Sequence, residues 1–217
     1  MTVQDKTAYQ LEAEKSIEVF AKYVLNDCLY DNTLDEIREW EEFIINWLNG
    51  TTIGDCEFEM GLLFETFQPY FPVGAPIYRG MQLAEGQELR PKPYASFSLE
   101  IEVAKYFAGY SEVYDYSGYA PGGENYLLTV NSTKAFDLST LLQLLLEKSG
   151  NEDMQIAIEE RMWETEVIAP LTEDMIQQAE IYTFPKEKEK VKKHNISGVS
   201  FMLEHGENGM IVKGGVQ

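Results

Sequence analysis

Tyr94-Ala-Ser-Phe-Ser-Leu-Glu-Ile-Glu-Val-Ala-Lys-Tyr-Phe-Ala-Gly109 changes its period halfway along. Up to Ser98 the side chains alternate, so Ser96 and Ser98 share one face of a strand and Phe97 turns to the other, into a core. Beyond it Leu99, Val103 and Phe107 recur at helical spacing. Glu100 and Glu102 sit in the first turn, Lys105 near the end and Gly109 just past it, which suits the helix dipole and a glycine stop. The stretch is therefore a strand running directly into a helix. Ser98 stands at the junction, either as the helix N-cap or as a hydroxyl facing a ligand, two roles that are compatible.

Other strand-like runs lie downstream, at residues 76–80, 126–130, 164–168, 180–184, 199–203 and 210–212, bounded by Gly and Pro. Helical patches at 99–108, 138–149 and 153–162 interrupt them without a regular βαβ alternation, which indicates an α+β class. Upstream, residues 1–70 read as helical. Leu11, Ile17, Phe20, Val24 and Cys28 make one apolar stripe. Thr33 and Glu36 have capping-box spacing, Ile37, Trp40, Ile44 and Trp47 form the stripe that follows, and Gly50 is placed to end the helix. A third helix over 56–67, with Phe58, Leu62 and Phe67 inward, is stopped by Pro69, Pro72, Gly74 and Pro76. The expectation is one domain over 1–217, a helical part at 1–70 packed on a β-rich core at 71–217. Lys186-Glu-Lys-Glu-Lys-Val-Lys-Lys193 reads as a solvated loop.

The chain has 217 residues, with 17 Lys plus Arg against 37 Asp plus Glu, a formal charge of −20. Apolar residues at 44% and charged residues at 25% belong to a globular protein. The negative charge argues against stable nucleic-acid binding through phosphates and against docking on an anionic membrane. It leaves room for a nucleotide, since one well-placed Arg can hold a pyrophosphate. It equally suits an acidic protein that binds a basic partner. Cys28, Cys56, His194 and His205 are the only cysteines and histidines, so no zinc-ligand spacing and no Ser-His-acid triad is readable, and no metal is expected. Met1-Thr-Val-Gln-Asp-Lys6 lacks the basic start and apolar run of a signal peptide, and no apolar run approaches about 18 residues. The expected compartment is the cytoplasm.

Two further motifs bracket the Ser-Phe-Ser strand. Tyr78-Arg79-Gly80 closes a short apolar strand; Arg79 either presents its planar fork to a pyrophosphate, with Gly80 letting the ligand approach the backbone, or forms an ordinary surface ion pair. Glu164-Thr165-Glu166, read as strand, puts both carboxylates on one face and Trp163, Thr165 and Val167 on the other. That face is either simply wet or holds two repelling carboxylates fit to stabilise positive charge and accept a proton. Aromatic-Arg, then Ser-x-Ser running into a helix, then Glu-x-Glu followed by Val167-Ile-Ala-Pro170, resembles in that order the arginine–serine–glutamate class of mono-ADP-ribosyltransferases, in its small single-domain bacterial toxin or phage type.

The resemblance covers about residues 76–170. It implies a mixed β-sandwich transferase core behind a helical N-terminal part, with NAD as co-substrate and a target protein as acceptor. Arg79 takes the NAD diphosphate, with Gly80, Ser98 and Tyr106 also on the nucleotide side. Ser96 supports the nucleotide and the catalytic Glu166. Glu166 holds the nicotinamide ribose, and Glu164 serves transfer to arginine. The resemblance also keeps open NAD hydrolysis, ADP-ribosylation of a nucleic acid, and an acidic inhibitor with an inactive site. Departures from the pattern are Phe97, where a small hydroxyl residue is common, and the acidic or helical stretch 151–162, where the class has a target-choosing loop. The Tyr- and Gly-rich segment Tyr110 to Tyr126 reads as a cover for the site or as a plain surface loop.

Overall fold

The computed structural model describes residues 7–26, 33–50, 56–74, 76–109, 124–131, 134–182, 195–196, 199–206 and 209–215, with side chains as far as residue 180. Cys28, residues 110–123, the Lys/Glu run at 186–193 and His194 lie outside the described residues, as does the His205 side chain.

Seven α-helices are formed among the described residues: α1 (Ala8–Asn26), α2 (Leu34–Leu48), α3 (Glu57–Phe67), α4 (Ile101–Phe107), α5 (Leu138–Lys148), α6 (Glu152–Arg161) and α7 (Glu173–Gln177). A reciprocal capping box opens α1: Gln10 N–H donates to Thr7 Oγ1 at 3.2 Å and Thr7 N–H to Gln10 Oε1 at 2.9 Å. The box expected at Thr33 does not form. Thr33 is the residue before α2, but its φ −120°, ψ 9° is not the extended backbone that aims a capping hydroxyl, and its side chain makes no cap bond. Gly50, at φ 65°, ends α2 as the spacing predicts, its N–H donating to Trp47 O at 3.0 Å.

Ile17, Phe20 and Val24 are buried as the stripe on α1 requires, while Leu11 is exposed. On α2 the buried series is Ile37, Trp40, Ile44 and Leu48, and Trp47 packs half-buried against the same core. On α3 the buried residues are Met60, Leu63 and Phe67; Leu62 packs half-buried against the same core, while Phe58 does not join it. Phe67 is locked among Phe20, Phe71 and Phe136. At 3.6 residues per turn Phe58 is about half a turn out of phase with it. Helices α1, α2, α3, α5 and α6 share this core with Phe136 and Ile168.

The strands are β1 (Pro76–Leu83), β2 (Lys92–Ser98), β3 (Glu124–Asn131), β4 (Phe136–Asp137), β5 (Glu166–Leu171), β6 (Glu180–Tyr182), β7 (Asn195–Ile196), β8 (Val199–Gly206) and β9 (Gly209–Gly215). The first six form one sheet in the order β4-β5-β2-β1-β3-β6, and the last three a second sheet, β7-β8-β9. The α+β class holds. The expected mixture of strand directions does not, since every registered pair is antiparallel. Neither β4 nor α7 was readable in the sequence. Val167, Ala169 and Leu171 of β5 join Ile77, Ala95, Phe97 and Leu128 in a second core, while Ile168 joins the helical one. Strand alternation thus gives the sheet two buried faces. Among the described residues no helix is long and apolar enough to cross a membrane.

A buried carboxylate ties α2 to the start of α6. Glu41 accepts from Ser149 Oγ–H at 2.6 Å and from Asn151 Nδ2–H at 3.2 Å. Truncation by Glu41→Ala leaves both donors unpaired in the interior, so stability should fall by about 3 kcal/mol and Tm by roughly 10 °C. A Tm change below about 2 °C would show that this link does not hold α2 in place.

Candidate active site

Glu166 opens β5 with the parity of Ile168, so its side chain faces the helical layer. It is 6% exposed. Trp47 Nε1–H, from the last turn of α2, donates to its Oε1 at 2.9 Å. Ser96, diagonal to it across the β2–β5 ladder, also hydrogen-bonds its carboxylate. Ser139 Oγ–H donates to its backbone carbonyl at 3.1 Å. Burial pushes the Glu166 carboxyl above the usual carboxylate range and the charge of Glu164 adds to this; the Ser96 and Trp47 bonds and the Arg79 cation pull it back.

Glu164 is not on a strand. It ends a 3₁₀ turn, Met162–Glu164, and Thr165 follows in the left-handed region at φ 45°, ψ 50°. A β-branched residue there is strained and must be held by its surroundings. Thr165 Oγ1–H donates to Glu164 O at 2.8 Å, so the 2.8 Å contact with Ser98 Oγ carries the Ser98 proton. Ser98 Oγ in turn accepts from Glu100 N–H at 3.0 Å, and Leu99 N–H donates to Thr165 O at 3.1 Å. Ser98 therefore does not cap α4, whose N-cap is Glu100, and its hydroxyl is engaged in holding the bend. The bend corrects the reading of 164–168 as one strand. Alternation does not align the two carboxylates; the turn at Thr165 swings Glu164 toward the space that Glu166 faces. Arg161 Nη1–H donates to Glu164 Oε1 at 2.8 Å. Burial raises the Glu164 carboxyl, and Arg161 opposes it.

Arg79 and Ser96 meet where β1 and β2 share a single registered pair, Tyr78 with Ser98. The Arg79 Nη1–H donates to the Ser96 carbonyl, and its guanidinium lies 5.9 Å from the centre of the Phe97 ring. Its Nε–H is buried without a partner. Burial lowers the Arg79 pKa, and Glu166 counters this. Phe97 packs in the second core, as expected.

Gly80 has a different reason from the one the sequence suggests. A Cβ there would stand 1.6 Å from Ala104 O and 2.6 Å from Ala108 N, so the missing side chain admits the backbone of α4. The face of α4 that seals this contact is Val103, Ala104 and Ala108. Phe107, which shares helical spacing with the buried Val103, is 38% exposed and stacks on Trp163 at 6.0 Å. Tyr106 packs edge-on to Trp163 at 5.3 Å and is not on the cleft wall.

The cleft itself has a volume of about 860 Å³. Arg79, Ser96, Glu164 and Glu166 all line it, together with Gly80 and Ser98. Trp47 lines it from α2; the helical spacing allowed it a place in the apolar stripe, and only its indole N–H, a donor that needs a partner, hinted at another role. Among the described residues no group of three or more His, Cys, Asp or Glu converges as a metal ion requires. No family model, curated protein or solved structure matches the chain.

Proposed function

We propose that the protein is an NAD-dependent mono-ADP-ribosyltransferase that transfers ADP-ribose to an arginine of a target protein in the cytoplasm and releases nicotinamide. The observation that supports this best is the convergence of Arg79 from β1, Ser96 from β2, Glu166 from β5 and Glu164 from the turn before it on one cleft. The finer architecture belonging to this reading is a transferase β-sandwich core, with the six-stranded sheet and β7–β9 as its strands.

The residues fit the nucleotide. Arg79 has an unpartnered buried Nε–H, so donors remain for a diphosphate. Rupture of the N-glycosidic bond sends its electron pair out with nicotinamide and leaves positive charge on the ribose. Glu166, oriented by neighbours on three elements, is placed to stabilise that charge. As the new bond forms between the ribose carbon and a guanidinium nitrogen, the nitrogen loses a proton, and Glu164 is the carboxylate at hand to take it. Its raised pKa makes it a better base than an exposed glutamate.

Glu164→Gln separates transfer from hydrolysis. Glutamine cannot take the proton, so transfer to protein arginine should fall about 100-fold. Water needs no such help to enter an open cleft, so nicotinamide release should persist at a measurable rate. The assay incubates labelled NAD with a cell lysate and follows both products. Undiminished arginine labelling would remove Glu164 as the proton acceptor, labelling on another residue type would remove the arginine assignment, and a parent protein that consumes no NAD would leave an acidic binding protein instead.

A further inference from the structure

The contact between Trp47 and Glu166 joins residues 119 apart in the chain. It is the point where the helical region reaches into the candidate catalytic centre. Glu166 is faced by Arg79 from β1, Ser96 from β2, Ser139 from α5, Trp47 from α2 and Glu164 from the 3₁₀ turn, the last paired with Arg161 of α6. These neighbours differ in what they can do. The Ser96 hydroxyl can donate to a carboxylate or turn and accept from a carboxylic acid, so it tolerates both forms. Ser139 bonds the backbone and does not touch the carboxyl group. The Trp47 indole can only donate, so it favours the ionised form alone and fixes the oxygen it binds. Its ring is rigid, and its neighbours Ile44 and Leu48 on α2 are buried, which anchors the helix that carries it. Glu41, bonded to Ser149 and Asn151, anchors the same helix nearly two turns before Trp47.

We propose that Trp47 is the positioning residue of Glu166: its indole N–H fixes the orientation and the charge of the carboxylate, so the helical region completes the centre as well as covering it. The catalytic part of this rests on the transferase reading; the hold on Glu166 does not.

Trp47→Phe keeps an aromatic ring and removes the donor. Carboxyl-carbon NMR on the protein without NAD follows the titration of Glu166. Its midpoint should rise by roughly one to two pH units in Trp47→Phe, as loss of one hydrogen bond to a charged group predicts. Trp40→Phe is the control, because the Trp40 indole donates to Ser16 and not to Glu166; it should leave the midpoint where it is. In the unmutated protein the indole proton of Trp47 should titrate with the same midpoint as the Glu166 carboxyl, which tests the contact even if Trp47→Phe folds poorly. With NAD, the acid limb of the kcat profile for nicotinamide release should move up with the NMR midpoint, costing about tenfold in kcat per unit at pH below it, while KM changes less than about twofold. An indole resonance blind to Glu166, or an unmoved midpoint in folded Trp47→Phe, overturns the proposal. A parent protein that releases no nicotinamide overturns the transferase reading and leaves the titration result to decide on Trp47.

Discussion

Glu166→Gln should cut NAD cleavage by about 1000-fold while the protein folds as before. The swap preserves shape, and the local bonds survive it. The amide oxygen accepts from Trp47 as Oε1 does, and the amide nitrogen can donate to Ser96, whose hydroxyl turns to receive it. What disappears is the charge that would face the ribose. The stability change has a definite sign. The folded carboxyl titrates above its ordinary value because it is buried, so the folded state binds more protons than the unfolded one as pH rises through that range. Such a group lowers stability at neutral pH. Glutamine removes the penalty, so Tm at neutral pH should equal or exceed that of the parent, and the two should converge in acid. Nicotinamide release measured beside thermal melting checks both halves. Parent-level turnover in the folded variant would sink the catalytic assignment.

Gly80→Ala should lower stability by roughly 3 kcal/mol or more, an effect at the upper end for overpacking. The added carbon meets backbone of α4 and not the end of a flexible side chain, so α4 must shift bodily. Val103 and Phe107 of that helix line the cleft next to Arg79, and the Ser98–Thr165 bonds fasten its first turn to the Glu164 bend. A displaced helix should therefore also loosen the site. Chemical denaturation gives the energy. If Gly80→Ala melts like the parent but loses NAD binding, Gly80 serves the ligand directly and not the helix.

The two halves of the site were legible to different degrees. Arg79, Ser96, Glu164 and Glu166 stand in the sequence as three short motifs, and all four line one cleft. Ser98 lines the same cleft and also holds a bend, while Tyr106 packs beside Trp163. Strand periodicity extended backwards across Thr165 misplaces Glu164. Thr165 adopts a left-handed backbone which its type disfavours, and Ser98 and Leu99, brought beside it by the β2–β5 pairing, help to hold it there.

Local period alone determined the α+β class, the stripes on α1 and α2, the Gly50 stop and the passage from β2 into α4. These depend on neighbours within a few residues, so the order of residue types is enough to specify them. The face that α3 buries, the partner of the Trp47 indole, the reason for Gly80 and the environment of Glu166 depend on partners far along the chain. Phe136, Glu166, Ala104 and Trp47 meet those positions only after the sheet and helices have packed, because a side chain's burial and hydrogen-bond partners are properties of the assembled layers and not of its own segment.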